Sequence, residues 1–335
     1  NQDCRGELGN GSATVGLFVV MRKNDNMKWL RYTLCVLYCT FGSLSAQETV
    51  SFLFGDMDRW VVREIHESAI IGGQTKYLYE VGPTDTVVGN IAYKNRGNSP
   101  WANSNVMAKV AGIVKTNVSV FPEKRGNGWC ARMETRMEKV KVLGLVDIEV
   151  VAAGSVFLGS VHEPIKGTKN PQSMLLSGVP FTKRPKALQF DYKVKVMPQH
   201  TRVRSTGFSR KGTVPGQDSV AVVLLLQKRW EDKLGNVYSK RVGTMVHRFS
   251  NAQSFPILYG NITKRPEYKS YMRIQVEERY TMNSKGVSVP IQEIGWADED
   301  EKPTHMVLQF VSSHGGAYIG SPGNTFWLDN VKLVY

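Results

Sequence analysis

From about residue 47 onward, apolar and polar positions trade places over short distances and are interrupted by turn residues. Residues 187–196 largely alternate, the signature of a half-buried strand, and residues 271–278 alternate in the same way. Residues 219–226 form an almost continuous apolar run, which suits a central buried strand. Residues 106–120 and 140–156 are crowded with Val, Ile and Leu, types that favour the pleated surface of a sheet. Residues 306–311 and 326–335 end the chain in the same style. Turn chemistry separates these runs, as at Gly72-Gly73, Asn95-Arg96-Gly97-Asn98, Pro215-Gly216 and Ser321-Pro322-Gly323-Asn324. Helical periodicity is scarce, and only residues 128–138 are read as one helical turn or two. The pattern predicts an all-β fold, an antiparallel β-sandwich of jelly-roll type. No repeat or low-complexity linker divides residues 47–335, which are expected to form a single domain.

The beginning of the chain reads differently. Arg22, Lys23, Lys28 and Arg31 precede a short apolar run at residues 34–41, and Ser43-Leu44-Ser45-Ala46 supplies small residues before Gln47. Residues 21–46 therefore read as a secretory signal peptide, with export to the periplasm, the cell surface or the medium expected. The apolar run is too short for a stable anchor, and no transmembrane segment is expected in the mature chain. Residues 1–20 precede a plausible initiator at Met21 and are expected to be upstream, non-native sequence.

Charge and cysteine usage narrow the picture. The net charge is +14, and residues 47–335 hold 38 basic and 26 acidic residues, a net +12. The cations are scattered through strand-like segments without a recognition-helix or zinc-finger pattern, so no nucleic-acid partner is expected. Cys130 is the single cysteine after residue 39 and reads as a small buried residue. His-Glu-x-x-His, Cys-x-x-Cys, Walker, dinucleotide and Gly-x-Ser-x-Gly motifs are all missing from the sequence.

Three sets of residues have the right chemistry for a site. Asp58 near one end of the domain, and Asp329 with Asn330 near the other, offer oxygens to a structural calcium ion if the first and last strands lie side by side. Asp191, flanked by Phe190 and Tyr192, faces away from the core if Phe190 faces it. With Glu134 or Asp218 it would make the carboxylate pair that a glycoside hydrolase needs. Trp101, Asn103, Asn105, Arg184 and Asp191 are of the types that stack on sugar rings and bond their hydroxyls. Trp101 reads equally well as a core residue, and Arg184 as a structural arginine tying a loop to backbone carbonyls.

Three blocks carry a family resemblance. They are Ser99-Pro100-Trp101-Ala102-Asn103-Ser104-Asn105, Gly178-Val179-Pro180-Phe181-Thr182-Lys183-Arg184-Pro185-Lys186-Ala187-Leu188-Gln189-Phe190-Asp191-Tyr192-Lys193-Val194, and Phe326-Trp327-Leu328-Asp329-Asn330-Val331-Lys332-Leu333-Val334-Tyr335. Together they resemble the putative carbohydrate metabolism domain of exported Bacteroidetes proteins, over nearly all of residues 50–335. The resemblance implies a jelly roll like carbohydrate-binding modules, a glycan ligand, and outer-membrane or surface protein partners. Some relatives are labelled putative glycoside hydrolases. The first expectation is carbohydrate binding in glycan use. The alternatives are a glycoside hydrolase with a carboxylate pair, and a structural or adhesive surface protein.

Overall fold

The apolar run that begins near residue 219 becomes the strand Ala221–Glu231, which is covered on both faces. Val222, Leu224 and Leu226 enter the main core, while Val223 and Leu225 enter a second apolar cluster behind it. Double coverage is why the sequence here is continuously apolar and not alternating. The computed structural model describes residues 47–335 except 111, 143–145, 168, 169, 208–210, 250–253 and 315. The readings of residues 1–20 and 21–46 lie outside the described residues.

Two sheets face each other across the main core. In the first, Thr325–Val334 lies between Gly128–Val142 and Ala187–Lys195, and Val120–Arg125 extends the far side of Gly128–Val142. In the second, Ala221–Glu231 lies between Val237–Arg248 and His305–Val311, and Ser155–Val161 follows beyond His305–Val311. Phe326, Leu328, Leu188 and Phe190 from the first sheet meet Leu224, Leu308 and Phe310 from the second. The Phe310 ring lies edge-on to Phe190 at 5.2 Å and to Phe326 at 6.0 Å, a favoured aromatic geometry. The architecture is an all-β sandwich, as the alternation predicts. Thr49–Ser51 pairs antiparallel with the end of Thr325–Val334, so the first and last strands are neighbours.

Two expectations are corrected. Residues 128–138 are not helical: they belong to the long strand Gly128–Val142, with Ala131 and Met133 turned into the core and Arg132 and Glu134 turned out. Flanking strands accept and donate its backbone hydrogen bonds, and that tertiary pairing overrides local preference. Residues 271–278 are not a strand. Ser270–Met272 is a 3-10 turn, and Gln275 has a φ of +54°, which ends extended backbone. The segment instead lays Met272 and Tyr271 over Val223, Leu225 and Val307. The predominantly antiparallel sheets also contain parallel pairs: Val237–Arg248 runs parallel to Ser288–Trp296, which a long connection permits. Trp60–His66 with Asp85–Val88, and Leu175–Ser177 with Tyr280–Met282, are parallel too. Among the described residues no helix is long and apolar enough to cross a membrane.

A buried ion pair fastens the parallel strands. Arg241 Nε and Nη2 donate to Glu293 Oε1 and Oε2 at 2.6 and 2.5 Å, and Gln227 Nε2 and the Gln275 N–H donate to the same carboxylate. Burial alone would raise the Glu293 pKa, but the Arg241 hydrogen bonds and charge outweigh it and hold the group at about 2. A folded pKa below the ordinary value of 4.5 contributes stability that is present above pH 4.5 and lost as pH falls towards about 2. Glu293→Gln is expected to flatten the stability profile over that window, measured by denaturant unfolding at several pH values. Arg241→Met, which leaves Glu293 buried and unpaired, is expected to cost about 3–5 kcal/mol near pH 7.

Candidate functional site

Alternation along Thr325–Val334 sends Phe326 and Leu328 into the core and leaves Trp327 and Asp329 on the outer face of the first sheet. Asp191 sits directly opposite Asp329 on the neighbouring strand, and Lys193 directly opposite Trp327. The register then shifts. Gln189 pairs with Lys332, so Asn330 and Val331 on the last strand together oppose Phe190 alone on its partner. Such a bulge re-aims side chains next to the extra residue. Asn330 lies at it with a φ of +52°, a conformation Asn adopts more readily than most residues. Its side-chain amide donates to Asp191 Oδ2 at 2.9 Å, and its backbone N–H donates to Asp329 Oδ1 at 2.7 Å.

The strand Val120–Arg125 completes the arrangement, because Glu123 and Arg125 are two apart and share a face. Arg125 bridges the opposed carboxylates, with Nη1 donating to Asp329 Oδ2 at 2.5 Å and Nη2 to Asp191 Oδ2 at 2.8 Å. Glu123 accepts the Trp327 indole N–H at 2.9 Å and pairs with Arg132 Nε at 2.8 Å. The Lys193 ammonium lies 5.0 Å from the centre of the Trp327 ring. These side chains line a groove of about 670 Å³ together with Gln189 and Lys124.

The opposed carboxylates differ electrostatically. Burial raises the pKa of Asp329, with the nearby Asp58 charge adding to the rise and Arg125 opposing it. Burial also works against ionised Asp191, but hydrogen bonds from Asn330 and Arg125 outweigh it and hold that carboxyl below the usual range. Residues directly opposite on antiparallel strands have Cβ atoms about 4.5–5.5 Å apart.

The structure distributes the sequence candidates unevenly. Asp191 is in the groove, but its expected partners are not beside it. Glu134 pairs with Arg132 and lies opposite Thr325, four positions along the strand from Asp329, on the order of 13 Å away. Asp218 is buried elsewhere, accepting from Ser313 Oγ at 2.5 Å and from the Ser321 and Ser219 N–H groups at 2.7 and 2.9 Å. Trp101, Asn103 and Asn105 are corrected from ligand-binding to core residues, all nearly inaccessible. The Trp101 indole donates to the Leu53 carbonyl at 2.9 Å, and Asn103 and Asn105 both donate to the Tyr79 carbonyl. Arg184 stacks on Tyr259 at 4.1 Å and donates to the carbonyls of Glu299 and Glu301, the structural role weighed for it. Cys130 is buried, its thiol pushed up to about 11 by burial, so it is not a ready nucleophile.

The residues do not fit the calcium ion considered for Asp58, Asp329 and Asn330. Both Asp329 oxygens already accept hydrogen bonds, one from a cation, and Asn330 turns its donor NH2 to the cluster. Asp58 Oδ1 accepts the Trp129 N–H at 2.7 Å, and a Cβ at Gly128 would come within 2.3 Å of that oxygen. Among the described residues no group of three or more His, Cys, Asp or Glu is placed to hold a metal. Glu123, Arg125, Gln189, Lys193 and Trp327 were missed as site residues. Alternation alone marks each as outward-facing, but not which strands adjoin. Trp101→Ala is expected to cost about 3–5 kcal/mol in denaturant unfolding, because it empties the core, and Asp191→Ala much less.

The family profile described as a putative carbohydrate metabolism domain matches residues 84–334. No curated protein matches the chain. A crystal structure of a putative glycoside hydrolase from Bacteroides thetaiotaomicron is similar, with 16% identity and a TM-score of 0.42, over 78% of this chain and 81% of that one. The profile match takes in the outer-face residues of all the groove strands, so the chain belongs to the family of putative carbohydrate metabolism domains and its role is carbohydrate-related.

Proposed function

We propose that the protein is a glycan-binding protein and that the groove over the first sheet is its binding site. The observation that carries this reading is the placement of Trp327 beside the opposed pair Asp191 and Asp329. An indole offers a flat apolar face to the C–H side of a sugar ring, and the polar groups around it fix the hydroxyls. Asp191 Oδ1 accepts no hydrogen bond among the described residues, and Gln189 adds an amide. Arg125 and Asn330 hold the Asp191 carboxylate in one orientation before a ligand arrives, which lowers the ordering cost of binding. Export belongs to the same proposal; the apolar run at residues 34–41 and the small residues before Gln47 support it.

A second reading is retaining glycoside hydrolysis at the same place. The divergent environments of Asp329 and Asp191 favour it, since burial raises the pKa of one carboxyl while hydrogen bonds from Asn330 and Arg125 lower that of the other. Retaining enzymes place their carboxyl groups about 5–5.5 Å apart, close to the spacing of a directly opposed cross-strand pair. In that reading Asp329 protonates the leaving oxygen and the Asp191 carboxylate attacks the anomeric carbon.

A glycan-array screen of the purified protein, with product analysis on each hit, separates the readings. Trp327→Ala is expected to weaken binding at least tenfold without moving the unfolding midpoint. Wild-type protein that binds no glycan, or a Trp327→Ala variant that binds as tightly as wild type, sinks the binding reading. Released sugar that disappears in both Asp191→Asn and Asp329→Asn establishes hydrolysis.

A further inference from the structure

The groove's carboxylates each bond an arginine, two of them sharing Arg125, whereas its lysines have no carboxylate partner among the described residues. Glu123 is held by Arg132 and the Trp327 indole, Asp329 by Arg125, and Asp191 by Arg125 and Asn330. Lys193 and Lys124 form no ion pair among the described residues; each lies over an indole ring, at 5.0 Å on Trp327 and 4.1 Å on Trp129. Lys332, beside Gln189, carries its charge near Asp191 without forming an ion pair. Lys195, opposite Thr325, continues the exposed row begun by Asp191 and Lys193.

We infer that the groove selects anionic glycans, in which a sugar stacked on Trp327 presents an acid group to Lys193. The inference rests on the glycan-binding reading and adds the substrate class. An ammonium next to a ring face is attracted to the ring's quadrupole, so a ligand that displaces Lys193 from Trp327 forfeits that contact. A carboxylate or sulfate on the ligand replaces it with a charge-assisted hydrogen bond, and a neutral sugar does not. Arg125 and Arg132 offset two of the charges on Glu123, Asp191 and Asp329, and the three lysines of the outer face, Lys193, Lys195 and Lys332, outnumber the remainder. Three lysines on the face, Lys193, Lys195 and Lys332, and the surplus of cations in residues 47–335 attract an acidic polymer over longer range.

The test is calorimetric titration with two pairs of oligosaccharides: galacturonan against its methyl ester, and carrageenan against its desulfated form. The acidic member of at least one pair is expected to bind ten times more tightly than its neutral counterpart, and the pair showing the preference identifies carboxylate or sulfate as the group recognised. In Lys193→Gln that ratio is expected to fall below threefold, and Lys193→Arg is expected to restore part of it. Raising the salt from 50 to 500 mM is expected to shrink the ratio, as screening of an exposed pair requires. Equal affinity for acidic and neutral members overturns the inference and leaves the glycan-binding reading intact. A preference that survives in Lys193→Gln overturns the assignment to Lys193. Absence of binding to all four probes, joined by absence of binding to neutral glycans on the array, overturns the underlying reading itself. Lys193 is exposed, so a fold defect in its variants is not expected, and an unchanged unfolding midpoint verifies this.

Discussion

Thr325–Val334 lies in the middle of the first sheet, and the two-residue side-chain period of a strand decides what it brings to each face. Phe326 and Leu328 reach the aromatic cluster that joins the two sheets, and Trp327 and Asp329 are thereby turned to the groove. The bulge at Asn330 then returns Val331 and Leu333 to the core and releases one extra amide towards Asp191. Had the register continued without the shift, the parity of every following residue would have been reversed. Core packing and site geometry are consequences of the same register.

The protein handles buried and exposed charge in different ways. Arg63 is fully enclosed, with Nη1 donating to Glu80 and both of its terminal nitrogens to Glu163, and Glu163 also accepts the Tyr93 and Met107 N–H groups. Arg241 and Glu293 repeat the arrangement in the second sheet. These networks cross-link neighbouring strands, and the charge-assisted hydrogen bonds at both ends of each guanidinium are what make burial tolerable, with Arg63 Nε the one nitrogen of the pair of arginines left without a partner among the described residues. Arg125 has the same bridging geometry, but it is about half exposed, at 47%. Water there competes with the ion pairs, so the carboxylates it holds remain open to a ligand. That difference in solvation separates the structural clamps from the proposed binding site, which is built from similar residues.

The family assignment and the groove address different levels of the same question. Membership ties the chain to carbohydrate; the indole, the opposed carboxylates and the unpaired lysines suggest how a glycan is held. In the proposed reading, arginine-bonded carboxylates beside lysines that form no ion pair among the described residues would let a groove rich in acidic residues take an acidic ligand.

Alternation over residues 187–196 and 326–335 was enough to read strands, and with the turn residues it was enough to read a sandwich, because side-chain period is a local property of the backbone. It also placed Asp191 on the outer face, since Phe190 on the opposite face belongs to the core. Local pattern misled at residues 271–278, where apolar residues cover a sheet without joining it, and at Trp101, where the sugar-stacking type is also a core-filling type. The partners of Asp191 were beyond its reach. Arg125 is 66 residues away and Asn330 139 residues away in the chain. Such distant residues meet through strand order and register, which are fixed only when both sheets close over one core. The sequence by itself determined the strands and their faces; the tertiary structure alone decided which faces became neighbours, and therefore where the site is.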